Sequence, residues 1–256
     1  MEFSTIPVTK QICFVVKKQE ILMINFMNKY RVGELFAGIG GIGLGFKQAG
    51  FELIWANEID EKACVTYSSN FNHTLINEDM KKINPHKLPA IDILTGGFPC
   101  QAFSMAGKHG GFKDNYKGMC RGTLFQDVVR ICEYHKSKVI FCENVKGLLI
   151  HDRGNTFDII KKSFEEIGYN VFYKILNSKD FGVPQNRERI YIVCFRKNLN
   201  IEHFDFPVGR FQKTSILDIL DPAPICSKYY LSDVYINTLD YIRQDISQKE
   251  MVLAMK

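Results

Sequence analysis

The sequence predicts an α/β fold, an open and mostly parallel sheet with helices on both faces. Two observations predict it. From about residue 30 to residue 197, short apolar runs suited to strands alternate with segments whose apolar residues recur at helical spacing. The first of these runs leads straight into a glycine-rich turn, AGIGGIGLG, and then a helix, the order in which parallel α/β units place a ligand-binding loop.

The elements follow in order. Arg31–Phe36 reads as a strand, and Leu44–Gln48 starts a helix that stops near Gly50. Glu52–Asn57 is a second strand and Glu61–Asn70 a helix. Ile91–Thr95 is a strand. Leu124–His135 carries Leu124, Val128 and Ile131 at helical spacing. Val139–Cys142 is a strand, Phe157–Ile167 an amphipathic helix, and Val171–Leu176 and Ile190–Phe195 are β-rich. Beyond residue 198 the pattern weakens into turn-rich FDFPVGR and DPAPICS and helix-like pieces. Three regions result: residues 1–29, an N-terminal extension; 30–197, the catalytic candidate; and 198–256, a short, incomplete C-terminal appendage.

The 256 residues, 46% of them hydrophobic, suffice for one good-sized domain and a smaller piece. The formal charge of +5 permits a nucleic-acid partner without demanding one. None of the eight cysteines forms a C-x-x-C pair or a zinc pattern with histidine, which argues against a bound metal. Several lie in apolar runs, as expected of a reduced, cytoplasmic setting. Residues 11–27 are apolar but interrupted by Lys17, Lys18 and Glu20, too broken to cross a bilayer. The extension is either a docked segment or an upstream start placed ahead of Met27.

Gly38, Gly40 and Gly43 satisfy G-x-G-x-x-G between a strand and a helix, where glycine lets backbone approach a ligand; a plain tight turn is the other reading. The next strand ends in NEID, residues 57–60, and an acid at that tip suits ribose hydroxyls. A nucleoside-containing cofactor follows, with NAD and S-adenosylmethionine both open. Asp79, in NEDM, stands at a distance suited to adenine, or serves as a helix cap.

TGGFPCQAFS, residues 95–104, puts Cys100 on a proline-stiffened turn at the end of a strand, and thus at the carboxyl edge of the sheet. A thiolate there is a potential nucleophile. Glu143 follows the strand VIFC to the same edge, and QNRER (185–189) offers Arg187 and Arg189. Residues 104–122 hold five glycines with Lys108, Lys113, Lys117 and Arg121, the composition of a cationic lid for a phosphate backbone. Singly, these features read as a cap, a charge run and a flexible loop.

Taken together, FAGIGG (36–41), NEID (57–60), FPCQAFS (98–104), RGTLF (121–125), ENV (143–145) and QNRERIYIV (185–193) resemble the DNA cytosine-5 methyltransferase family. They stand in the family's order. The resemblance implies a Rossmann-like, class I S-adenosylmethionine-dependent methyltransferase acting on double-stranded DNA, in a restriction–modification setting. It implies that Cys100 attacks C6 of a flipped cytosine. Glu143 engages N3 and the amino group, Arg189 holds the base near O2, and Arg187 and Gln101 support the lid. It assigns Phe36, Gly38, Gly40, Glu58, Ile59, Asp79, Pro99 and Leu124 to the cofactor site. Ser104, Lys108, Lys113 and Arg121 fall to DNA. Glu58 takes the ribose, Asp79 the adenine amino group and Ile59 the adenine face, where the family often has an aromatic.

Two of the family's later motifs, an R-E-x-x-R-x-Q-like helix and a G-N-[SA]-V-like segment, are not found. SILDILDPAP resembles only the lead-in to a target-recognition region. The chain is therefore expected to be one subunit of a split enzyme or a truncated form, with little or no site-specific activity alone. Other readings are a tRNA cytosine-5 methyltransferase, a remnant that binds S-adenosylmethionine or DNA without turnover, and, disfavoured by the cysteine motif and ENV, a dehydrogenase.

Overall fold

A computed structural model describes residues 30–99, 115–116, 119–120, 124–209, 215–220 and 232–238. In chain order the main elements are β1 (Arg31–Leu35), α1 (Gly41–Gln48), β2 (Glu52–Glu58), α2 (Glu61–Asn70), β3 (Thr74–Asn77) and β4 (Ile93–Gly96). A two-stranded ribbon, β5 (Asn115–Tyr116) and β6 (Met119–Cys120), precedes α3 (Leu124–His135). Then come β7 (Val139–Val145), α4 (Asn155–Glu166), β8 (Tyr169–Asn177) and β9 (Glu188–Arg196).

The seven-stranded sheet runs β3-β2-β1-β4-β7-β9-β8. Its first five strands are parallel, while β9 is antiparallel to both β7 and β8. The order turns between β1 and β4, so a crevice opens there at the carboxyl ends of the strands. The strands at the centre are continuous apolar runs because both faces are covered: Val139, Ile140, Phe141 and Cys142 are all buried.

On one face, α3 and α4 bring Val128, Ile131, Phe157, Ile160 and Phe164 onto Leu35, Leu94, Ile140 and Ile192. On the other, Phe46 of α1 and Phe204 join Val32, Phe141, Val193 and Phe195. α2 adds Tyr67 and Phe71, which stack at 4.5 Å between ring centres beside Ala37 and Ala56. Residues 198–209, read from the sequence as part of the appendage, pack with the first unit. Phe204 is buried against Phe195, and Asn170 Nδ2 donates to the Ile201 carbonyl at 2.9 Å. The boundary between the two compact units falls at Thr214/Ser215. In the second unit, Ser215 and Asp218 form a capping box on the turn Ile216–Ile219.

Candidate active site

The glycine turn is shaped by contacts inside the protein. Phe36 adopts φ 52°, unusual for an aromatic residue, and Gly38 and Gly40 follow at 55° and 92°. The Gly38 N–H donates to Glu58 Oε2 at 2.7 Å, while the Ile59 and Asp60 N–H groups donate to Oε1 at 2.8 and 2.9 Å. Glu58 therefore fastens the turn to the tip of β2. A Cβ on Gly40 would lie 2.2 Å from Phe71, and one on Gly43 would lie 2.4 Å from Glu34. These two glycines make room for the protein's own side chains rather than for a ligand.

Beneath the turn sits Glu34, wholly buried. Its Oε1 accepts from the Gly43 N–H at 2.8 Å and its Oε2 from the Tyr67 hydroxyl at 3.0 Å. Tyr67 also meets His73 Nε2 at 2.8 Å. Burial pushes the Glu34 carboxyl up to about 7, against the pull of both donors.

Beside the turn opens a cavity of about 350 Å³, lined by Phe36, Asn57, Glu58, Ile59, Asp60, Glu78, Asp79, Met80, Pro99 and Leu124. Its volume lies in the small-molecule range. Phe36, Ile59, Met80, Pro99 and Leu124 offer apolar walls for a purine, and four carboxylates offer acceptors for hydroxyl, amino and cationic groups. That lining fits S-adenosylmethionine, which carries a nucleoside and a positive sulfonium. Six predicted cofactor residues thus line one cavity. Gly38 and Gly40 do not line it. Asn57, Asp60, Glu78 and Met80 do, and the signal for them was their place at the same strand tips, in NEID and NEDM.

Asp79 is also the cap of the turn Met80–Lys82, its Oδ1 accepting from the Lys81 N–H at 3.0 Å. The bland reading of that residue and the functional one are compatible, since a carboxylate has a second oxygen.

A second cluster gathers at the end of β7. The register pairs Val145 with Arg189, which puts Arg189 on the same face as Glu143 two residues away. Arg189 Nε lies 3.1 Å from Glu143 Oε1. Burial raises the Glu143 carboxyl above its ordinary value, against the pull of Arg189 and Arg187. Gly97 adjoins this carboxylate, as a Cβ there would lie 3.4 Å from Glu143 Oε2. Asn144 Nδ2 donates to the Phe98 carbonyl at 3.3 Å. The segment 97–99 therefore touches Glu143 at one end and the cavity at the other, through Pro99.

Arg187 is placed by its backbone: its N–H donates to Asn177 Oδ1 at 3.1 Å, and its carbonyl accepts from the Ser178 N–H at 3.1 Å. Cys100, Gln101, Ser104, Lys108, Lys113 and Arg121 lie outside the described residues. Among the described residues there is no cluster of metal-ligating side chains and no helix long and apolar enough to cross a membrane.

The sheet order and the cavity at its turning point define a class I S-adenosylmethionine-dependent methyltransferase fold. The chain belongs to the C-5 cytosine-specific DNA methylase family, which it matches over residues 30–254. It is 47% identical over 225 residues to the Type II methyltransferase M.Bsp6I of Bacillus sp. (strain RFL6), covering 87% of this chain and 70% of that one. It is 47% identical to M.SsoII of Shigella sonnei, covering 83% of this chain and 55% of the relative. For M.HhaI of Haemophilus parahaemolyticus the identity is 43%, covering 78% and 61%. The chain thus spans 55% to 70% of the length of these curated relatives. In fold it is similar to Spodoptera frugiperda DNMT2, with a TM-score of 0.64 at 23% identity, covering 80% of this chain and 63% of that one. It is also similar in fold to S. pombe Dnmt2, with a TM-score of 0.62 at 19% identity, covering 84% and 66%.

Proposed function

We propose that this chain methylates C5 of cytosine in double-stranded DNA, as the catalytic part of a Type II restriction–modification methyltransferase. The observation that carries the reading is the bridge 97–99. It sets the residue before Cys100 in the wall of an acid-lined nucleoside cavity and Gly97 against the Glu143–Arg189 pair. Relatives above 40% identity are named Type II methyltransferases, which favours DNA over tRNA as substrate.

The chemistry assigned to each residue follows from cytosine itself. C5 is a poor nucleophile until a thiolate adds at C6. Cys100 forms the S–C6 bond, and the ring electron pair moves to C5. Glu143, whose proton affinity burial raises, engages N3 and the amino group and offsets the charge that develops on the ring. Arg189 fixes Glu143 and reaches toward O2. S-adenosylmethionine, when bound, supplies the methyl group; loss of the C5 proton then expels the thiolate and restores the aromatic ring. Arg187 and Gln101 support the lid, and Ser104, Lys108, Lys113 and Arg121 meet phosphates.

Glu58 and Asp79 hold the cofactor's ribose and adenine amino group, with Phe36 and Ile59 against the adenine ring and Pro99 and Leu124 completing the wall. Gly38 and Gly40 serve the same site indirectly, by setting the turn that Glu58 anchors. A second polypeptide carrying the recognition region is part of the proposal.

DNA containing 5-fluorocytosine tests it. Fluorine at C5 cannot leave as a proton, so with S-adenosylmethionine a competent Cys100 stays bonded to DNA on a denaturing gel. A shifted band absent from Cys100→Ser supports the reading. No band, either with the chain alone or after adding a polypeptide with the recognition region, overturns it.

A further inference from the structure

We infer that Arg130 is a positioning residue for cofactor selectivity: it holds the backbone that presents Asp79, so that the cavity distinguishes adenine from a purine lacking the amino group. The inference rests on the S-adenosylmethionine reading of the cavity and extends it to a residue that does not line it.

The observation begins with what the Asp79 segment lacks. Between β3, ending at Asn77, and β4, beginning at Ile93, the chain has only the short turns Met80–Lys82 and Pro85–Lys87. No strand ladder fixes it; its own turns satisfy some carbonyls, as Lys82 N–H to Asp79 O at 2.9 Å and Ile83 N–H to Met80 O at 3.2 Å, and side chains hold others. Trp55 Nε1 donates to the Pro89 carbonyl at 3.0 Å, and around Asp79 itself two side chains do this from different elements. Asn57, buried at the end of β2, donates to the carbonyls of Ile76 at 3.0 Å and Glu78 at 2.8 Å. Arg130, on α3, donates from Nη1 to Ile83 O at 2.9 Å and from Nη2 to Met80 O at 3.0 Å. Asp79 lies between the two sets of bonds.

The guanidinium is itself aimed. Asp127, one turn earlier on the same helix, accepts from Nε at 3.3 Å and Nη2 at 3.2 Å. A planar fork held in this way reaches two carbonyls at once, which a single ammonium cannot reproduce. The same helix begins at Leu124, which lines the cavity. Arg130 therefore fixes the distance between the Asp79 wall and the Leu124 wall. Asp79 has one oxygen committed to Lys81 N–H, and the rigidity of the turn sets where the other one stands.

A site built to accept a hydrogen bond rejects an analogue lacking the donor far more strongly than an apolar pocket rejects a change of size. The measurable quantity is thus a ratio. The Kd of the chain is measured for S-adenosylhomocysteine and for S-inosylhomocysteine, whose purine has an oxo group where adenine has the amino group. Thermal unfolding is recorded for each variant. The unsubstituted chain is expected to prefer the adenosyl ligand. Arg130→Met is expected to cut that preference by about tenfold, with the inosyl Kd held within about twofold, and Asp79→Ala sets the value for complete loss. Arg130→Lys is expected to fall between, and it decides the matter if Arg130→Met does not fold.

An unchanged ratio overturns the inference. So does equal weakening of both ligands together with a lowered Tm, since that marks a residue with a structural role only. A chain that binds both ligands equally overturns it while leaving the cofactor reading in place. A chain that binds neither overturns both.

Discussion

Replacing Glu34 by glutamine tests the electrostatics under the glycine turn. Burial holds this carboxyl protonated up to about 7 against an ordinary value of 4.5. Between those two values the folded chain keeps a proton that the unfolded chain has given up, so folding stability falls as pH rises. The stability contribution is complete below about pH 4.5 and lost once pH passes about 7. At about 1.4 kcal/mol per pH unit the loss is about 3 kcal/mol, most of it between pH 5 and pH 8.

Glutamine carries no such charge, and the network can keep its bonds. The amide oxygen accepts from Gly43 N–H, and the amide NH₂ donates to the Tyr67 hydroxyl, which turns to donate to His73 Nε2. His73 suits that role, because burial, and then Lys47, lower its proton affinity. His73 gives stability the opposite slope in both proteins, rising with pH up to its ordinary value of 6.5, so the Glu34 contribution is read from the difference between them. Urea unfolding of both proteins at pH 5 and pH 8 measures that difference. Glu34→Gln should gain about 2 to 3 kcal/mol relative to the unsubstituted chain on going from pH 5 to pH 8. The same difference at both pH values would refute the buried ionisation.

Two further outcomes are expected, beside those for Cys100 and Arg130. Gly40→Ala places a methyl group 2.2 Å from Phe71 at φ 92°, and should lower the unfolding free energy by about 2 to 4 kcal/mol, read from the urea midpoint; a loss under about 1 kcal/mol would mean that Phe71 moves freely. Glu143→Gln keeps the shape of the side chain but not its charge chemistry. It should slow single-turnover methyl transfer by about 10²–10³-fold, with S-adenosylhomocysteine affinity unchanged because Glu143 is not in the cavity wall. Weakened cofactor binding with an unaltered rate would contradict the placement.

How much of this was legible in the sequence varies by feature. Helix Leu124–His135 stands where spacing put it, because Leu124, Val128, Ile131 and Cys132 share one buried face, and Glu61–Asn70 also stands at its expected bounds. β3 was missed: Thr74–Asn77 is four residues long, sits at the sheet edge and has no fully buried position to give it an apolar signature. The reversal of β9 does not show in its residues either, since a strand buried on both faces looks the same in either direction. Loop length carries that information. Only residues 178–187 join β8 to β9, too few for a parallel crossover.

The glycine motif stands beside the cavity for a reason other than ligand approach. Its second and third glycines admit Phe71 and Glu34, tertiary neighbours that local spacing cannot name. The acids at the strand tips were legible because a strand tip in such a sheet faces the crevice whatever its neighbours.

The reversed strand also has a consequence for how the site can change over time. Glu143 stands near the end of one strand and Arg189 at the start of another, and they meet only because β9 runs backwards beside β7. Their encounter is written in the alignment of two strands as much as in the two residues. Deleting one residue between Arg189 and Phe195 would keep both partners in the chain yet turn Arg189 to the opposite face of the sheet. Losing two would restore the face but slide the guanidinium about 7 Å along the strand. Descendants of this gene can therefore exchange many side chains in β9, but they inherit its length as a fixed quantity.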